Sequence, residues 1–79
     1  MQWILQDLNI GQNLRILRQQ HLLSQAQLVA QMQILGSAMS DVTAYNKIER
    51  GYRNIRVSDL VILSKIYHCS FDDFFQNLG

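Results

Sequence analysis

Lys47, Arg50, Arg53 and Arg56 put four of the seven basic residues into one ten-residue stretch, at intervals of three. That stretch holds a single acid, Glu49, while Asp59, Asp72 and Asp73 lie in the C-terminal third. Cations grouped in this way can neutralise phosphates. The same grouping also fits a solvated helix end and its loop, so the stretch alone leaves both readings open. The net charge of +1 is weak support for a nucleic-acid partner, since dedicated DNA binders often carry a strongly basic face. Chemistry of other kinds is harder to assemble. No nucleophile, base and orienting residue come together in the sequence, so no enzyme is expected. His21 and His68 stand singly near helix ends, where a cation suits the dipole. Asp72 and Asp73 fall in a helix first turn, which favours acids without any catalytic role. Cys69, the one cysteine, reads as a small buried apolar residue. It has no partner for an internal disulfide, and no set of ligands for a metal or other cofactor surrounds it.

Two short runs show which elements must position the basic stretch. Ser24-Gln25-Ala26-Gln27-Leu28 is a helix start: Ser24 can accept from an early backbone N–H, and Gln27 can reach back to the cap. Asn46-Lys47-Ile48-Glu49-Arg50-Gly51 is a helix end, with Ile48 buried, Arg50 a last-turn cation and Gly51 the left-handed cap. Neither run is specific alone. Their order, with the basic residues beyond, suggests the two helices of a helix-turn-helix. Helical periodicity runs throughout. Ile10, Leu14 and Leu17 define a first helix, capped by Asn9 and ending near Gln20. Leu28, Met32 and Leu35 define a second, closed by Gly36. The third starts after Ser40 or Asp41, buries Tyr45 and Ile48, and stops at Gly51; Tyr45 is expected to pack with its hydroxyl at the edge. Val57, Leu60, Val61, Ser64 and Tyr67 line the fourth. Ser70 and Asp73 cap a short fifth carrying Phe71, Phe74 and Phe75. No stretch alternates with period two for long enough to be a strand. The expectation is an all-α, compact five-helix domain over residues 10–79. Residues 1–9 form an apolar extension whose Trp3, Ile4, Leu5 and Leu8 could lengthen the first helix, cover the bundle or meet a second subunit.

The chain's bounds agree with one small domain. Its 79 residues are 48% hydrophobic with no proline, enough for a single core. No run of about 18 apolar residues suggests a membrane span. Trp3-Ile4-Leu5 is too short for a signal peptide, and a reducing cytoplasm is the expected location.

From Ile10 to Phe75 the chain resembles the lambda-repressor-like, Cro/C1-type (XRE-like) helix-turn-helix DNA-binding domains. The matching pieces are Ile10-Gly11-x-x-Leu14-x-x-Leu17-Arg18 and Leu23-Ser24-Gln25-x-x-Leu28, then Lys47-Ile48-Glu49-Arg50-Gly51, Leu60-x-x-Leu63-Ser64-Lys65 and Ser70-Phe71-Asp72-Asp73-Phe74-Phe75. Three departures stand out. The spacing from Leu28 to Ile48 is several residues longer than in the commonest members, implying an extended second helix and a wider loop. Leu22 stands where many relatives place glycine, so that turn is expected to be built differently. Ile55 and Arg56 replace a frequent proline and serine, which puts a cation at the start of the fourth helix, where it is slightly unfavourable unless a phosphate faces it.

The resemblance implies roles residue by residue. Val42, Thr43, Asn46 and Lys47 on the third helix would face base edges: Asn can pair with adenine, Lys with guanine acceptors, and the Val and Thr methyls with a thymine methyl. Ser24 and Gln25 at the start of the second helix, with Arg53, Asn54 and Arg56 after the third, would face phosphates. Arg18 and Glu49 would join the first helix to the third. The implied function is a sequence-specific DNA-binding transcriptional regulator, a repressor acting as a homodimer on double-stranded operator DNA, with no membrane and no small-molecule substrate as partner. The rival is a protein-interaction module on the same fold, of antitoxin or antirepressor-partner type.

Overall fold

The computed structural model describes residues 10–76 and the backbone of Trp3–Ile4. Among the described residues four α-helices follow one another: α1 (Ile10–Gln20), α2 (Gln25–Ile34), α3 (Val42–Glu49) and α4 (Val57–Tyr67). A 3₁₀ helix, Phe71–Phe75, takes the place of the fifth. Five residues make fewer than two turns, and the i, i+3 eclipse of a 3₁₀ helix sets Phe71 edge-on to Phe74, with ring centroids 6.0 Å apart. Ser70 donates its backbone N–H to the Asp73 carboxylate at 3.0 Å, the contact expected of the cap. Asn13 on α1 then holds this end down, donating to the carbonyls of Phe74 (3.0 Å) and Gln76 (2.8 Å).

Among the described residues, a ladder of two short strands departs from the all-helical expectation. β1 (Trp3–Ile4) pairs antiparallel with β2 (Ile55–Arg56), Trp3 opposite Arg56 and Ile4 opposite Ile55. A two-residue ladder is too short to leave a period in the sequence. It forms where relatives often carry proline, and Ile55 has the backbone N–H that proline lacks. Ile55 itself is fully buried. The readings made for the side chains of Trp3, Ile4, Leu5 and Leu8, and for Asn9 as a cap, lie outside the described residues.

The core draws on every helix: Ile10 and Leu14, Leu28 and Met32, Tyr45 and Ile48, Leu60 and Leu63, and Phe74 are all essentially inaccessible. Two expected stripes are displaced. α2 stops at Ile34, which leaves Leu35 as its C-cap and half exposed. On α4 the buried side is Leu60, Leu63 and Tyr67 with Ile62, while Val61 is exposed and Val57 and Ser64 only half-buried. That helix is apolar nearly all round, so periodicity cannot choose its inner face.

α1, α2 and α3 all end on a left-handed residue: Leu22 (φ 58°), Gly36 (φ 99°) and Gly51 (φ 81°). After α1, the Leu23 N–H reaches the Arg18 carbonyl (3.2 Å) and the Leu22 N–H the Gln19 carbonyl (3.0 Å), the paired bonds of a Schellman cap. The turn is therefore built as glycine would build it, with leucine in the strained place. Gly11 is needed for a different reason. A Cβ there would fall 2.6 Å from the Glu49 carbonyl oxygen and would also collide with that of Ile48, so α1 lies directly on the end of α3.

Candidate nucleic-acid interface

Both helices that would face DNA begin on side-chain caps. Ser24 Oγ accepts from the Gln27 N–H (3.0 Å), while Gln27 Oε1 accepts from the Ser24 N–H (2.9 Å). Asp41 Oδ1 accepts from the Ala44 N–H at 2.8 Å, which fixes the first turn of α3. Between them, the connection from Leu35 to Asp41 is tied at several points. Gln33 Nε2 donates to the Met39 carbonyl (2.8 Å), and Ser37 Oγ donates to the buried Asp59 carboxylate (2.7 Å). Met39 packs into the core. The longer connection is thus an ordered clasp that leaves α3 intact.

α3 has two distinct sides. Ala44, Tyr45, Ile48 and Glu49 are buried; Thr43 and Lys47 are exposed, Val42 is at the margin of exposure, and Asn46 is half-buried. At about 100° per residue the last four share one side of the helix. Ser24 is exposed and Gln25 half-buried at the start of α2. Arg53 and Arg56 are exposed and Asn54 half-buried. These three line a hollow of about 40 Å³ together with Met39 and Ser40 of the connection and Asp59 of α4. The two sets assigned to phosphates therefore come from different ends of the motif, with α3 between them in sequence.

Tyr45 departs from expectation. Its hydroxyl is not at an edge, because the side chain is fully buried. Among the described residues neither it nor the Tyr67 hydroxyl makes a well-formed hydrogen bond. Burial pushes both phenols above their ordinary range, Tyr45 well above it.

Arg18 and Glu49 meet in a two-pronged contact, Nε to Oε2 at 2.7 Å and Nη2 to Oε1 at 3.2 Å. The Glu49 side chain is 3% exposed. Arg18 Nη1 also donates to the Leu23 carbonyl at 2.8 Å, so one guanidinium ties α1, the turn before α2 and the end of α3. Its hydrogen bond to Glu49 raises the Arg18 pKa further. Sequence reasoning missed that this pair extends outward. Gln25 Nε2 donates to Glu49 Oε1 at 3.1 Å, and Asn46 Nδ2 donates to Gln25 Oε1 at 3.2 Å. Arg15 and Arg50 join these residues around a groove of about 310 Å³. Arg50 also lies over the Tyr52 ring, 5.2 Å from its centroid. No sequence signal links Gln25 to Glu49, because the bond depends on how α2 docks against α3.

Among the described residues, no three His, Cys, Asp or Glu side chains gather as a metal site. Among them, too, no helix is long and apolar enough to cross a membrane. Comparison with curated proteins and with solved structures gives no match. A family model described as helix-turn-helix does match, over residues 14–74, from the middle of α1 to the buried phenylalanine of the 3₁₀ helix. With caps, buried ion pair and outward side of α3 all in place, the chain belongs to this helix-turn-helix family, the Cro/C1-type (XRE-like) domains that bind double-stranded DNA.

Proposed function

We propose that the protein is a sequence-specific transcriptional regulator, a repressor that binds operator DNA as a homodimer with α3 in the major groove. The observation that carries this reading is the division of α3. Val42, Thr43, Asn46 and Lys47 share the side turned away from the core, and their donors, acceptors and methyls suit base edges. Ser24 and Gln25 hold one phosphate stretch through the start of α2, and Arg53, Asn54 and Arg56 hold another. Such contacts set register without reading sequence.

Salt dependence tests the reading. Arg53 and Arg56 supply two phosphate cations per protomer and four per dimer. Released counterions then give a slope of log affinity against log salt near about −3.6. Titration against a random duplex pool at several salt concentrations measures it, with folding checked by circular dichroism. Folded protein that binds no duplex at any of them would replace this reading with the protein-interaction module.

A further inference from the structure

We infer that Glu49, acting through Gln25, fixes which end of the Asn46 amide faces a base pair, and so sets the strand on which α3 reads adenine. The inference rests on the placement of α3 in the major groove proposed above.

An amide side chain has a donor end and an acceptor end of nearly equal shape, and its neighbours decide which way round it sits. Here the decision starts at an ionised carboxylate, which can only accept. Both Glu49 oxygens take bonds from Arg18, and Oε1 also takes the Gln25 amide nitrogen. Gln25 reversed would set an oxygen against that carboxylate. Its Oε1 is therefore held toward α3, where it accepts from Asn46 Nδ2. Asn46 reversed would in turn set oxygen against oxygen. The polarity of a buried charge is passed through two amides to a half-buried residue on the outward side of α3.

What Asn46 still offers is one Nδ2 proton and both lone pairs of Oδ1. That donor and acceptor match adenine N7 and its N6 amino group, whereas guanine presents two acceptors at the same edge. Because the order of donor and acceptor is fixed, A·T is distinguished from T·A. Gln25 is a positioning residue in this scheme, as is Glu49.

The test has one arm on the free protein and one on DNA. In the free protein, NMR exchange of the Asn46 side-chain protons reads the bond to Gln25. Gln25→Met removes the amide and leaves the Arg18–Glu49 pair in place; we expect protection of one Nδ2 proton in the natural chain and its loss, roughly tenfold, in this variant. On DNA, Asn46→Ala identifies the base pair that Asn46 reads within a set of selected sequences. Gln25→Met also loses the phosphate contact and so should weaken all sequences alike; at that pair it should in addition lower the preference for A·T over T·A by roughly tenfold, with both still favoured over G·C and base preferences at other positions unchanged. Uniform weakening with no change of preference at that pair would make Gln25 a phosphate anchor only and overturn the inference. Unprotected Asn46 protons in the natural chain would overturn it on their own. If no duplex binds, the proposed function fails, and the NMR arm still decides whether the relay exists.

Discussion

Tyr45 and Tyr67 place two phenol oxygens in the core beside the Arg18–Glu49 pair, Tyr45 next to Glu49 and Tyr67 next to Tyr45, but among the described residues neither oxygen makes a well-formed hydrogen bond. A buried hydroxyl that has left water without a replacement bond costs stability, so its removal with the ring retained is cheap or favourable. Tyr45→Phe and Tyr67→Phe are each expected to leave the unfolding free energy unchanged or to raise it by up to about 1 kcal/mol. The pH dependence has a definite sign. Burial raises both phenols above the unfolded value of about 10. Their neutral forms are therefore favoured in the fold, with the full contribution present below about pH 10 and lost as pH rises toward the folded values. The natural chain should lose stability on alkaline titration above about pH 10, and the double phenylalanine variant should lose much less. Urea denaturation at pH 7 and at alkaline pH measures both. A large loss for Tyr45→Phe at pH 7 would show that its hydroxyl has a partner after all.

At the scale of elements, Leu22 and Gly11 invite opposite substitutions. Leu22 holds a left-handed conformation that costs an L-residue about 1–2 kcal/mol, and its side chain is 88% exposed. Leu22→Gly removes that strain and adds unfolded-chain entropy of about 0.5–1 kcal/mol. A net gain of about 0.5–1 kcal/mol is expected, or several degrees in Tm for a domain of this size. Gly11→Ala runs the other way. The added carbon meets backbone oxygens at the end of α3, which no rotamer change can relieve, so a loss of at least about 2–3 kcal/mol is expected. Thermal unfolding of the two variants checks both signs. A destabilised Leu22→Gly would mean that the leucine side chain makes contacts worth more than its strain. The same elements show what could be read in advance. Caps at Ser24 and Gly51 were legible, and that of α3 to within Ser40 or Asp41, because capping is local chemistry of a few residues. The β1–β2 ladder, the inner side of α4 and the link from Glu49 to Gln25 were not. Each depends on what a distant segment brings alongside, and an apolar helix or a two-residue strand carries too little pattern to announce it.

For the whole molecule, size constrains how two copies could share an operator. The principal extents are 32 × 25 × 20 Å. Half-sites read by a symmetric pair of helix-turn-helix domains lie about 34–36 Å apart, one turn of duplex. Two bodies centred one turn apart on the same side of the DNA, with their 32 Å axes along the duplex, leave about 2–4 Å between them, so only side chains at their edges can meet. An edge contact of that kind buries little surface and belongs with weak associations. The DNA then supplies most of the effective concentration that brings the copies together. Binding of the second copy should accordingly depend on spacing. Palindromes with half-site centres about 10 base pairs apart are expected to bind two copies cooperatively. Moving the centres to about 15 base pairs puts the copies on opposite sides of the duplex and should abolish the cooperativity while leaving each half-site occupied. Gel-shift titration of the two spacings, with sedimentation of the free protein at micromolar concentration, separates the cases. Equal cooperativity at both spacings, or a tight dimer already present without DNA, would show that a larger interface than this edge contact holds the pair together.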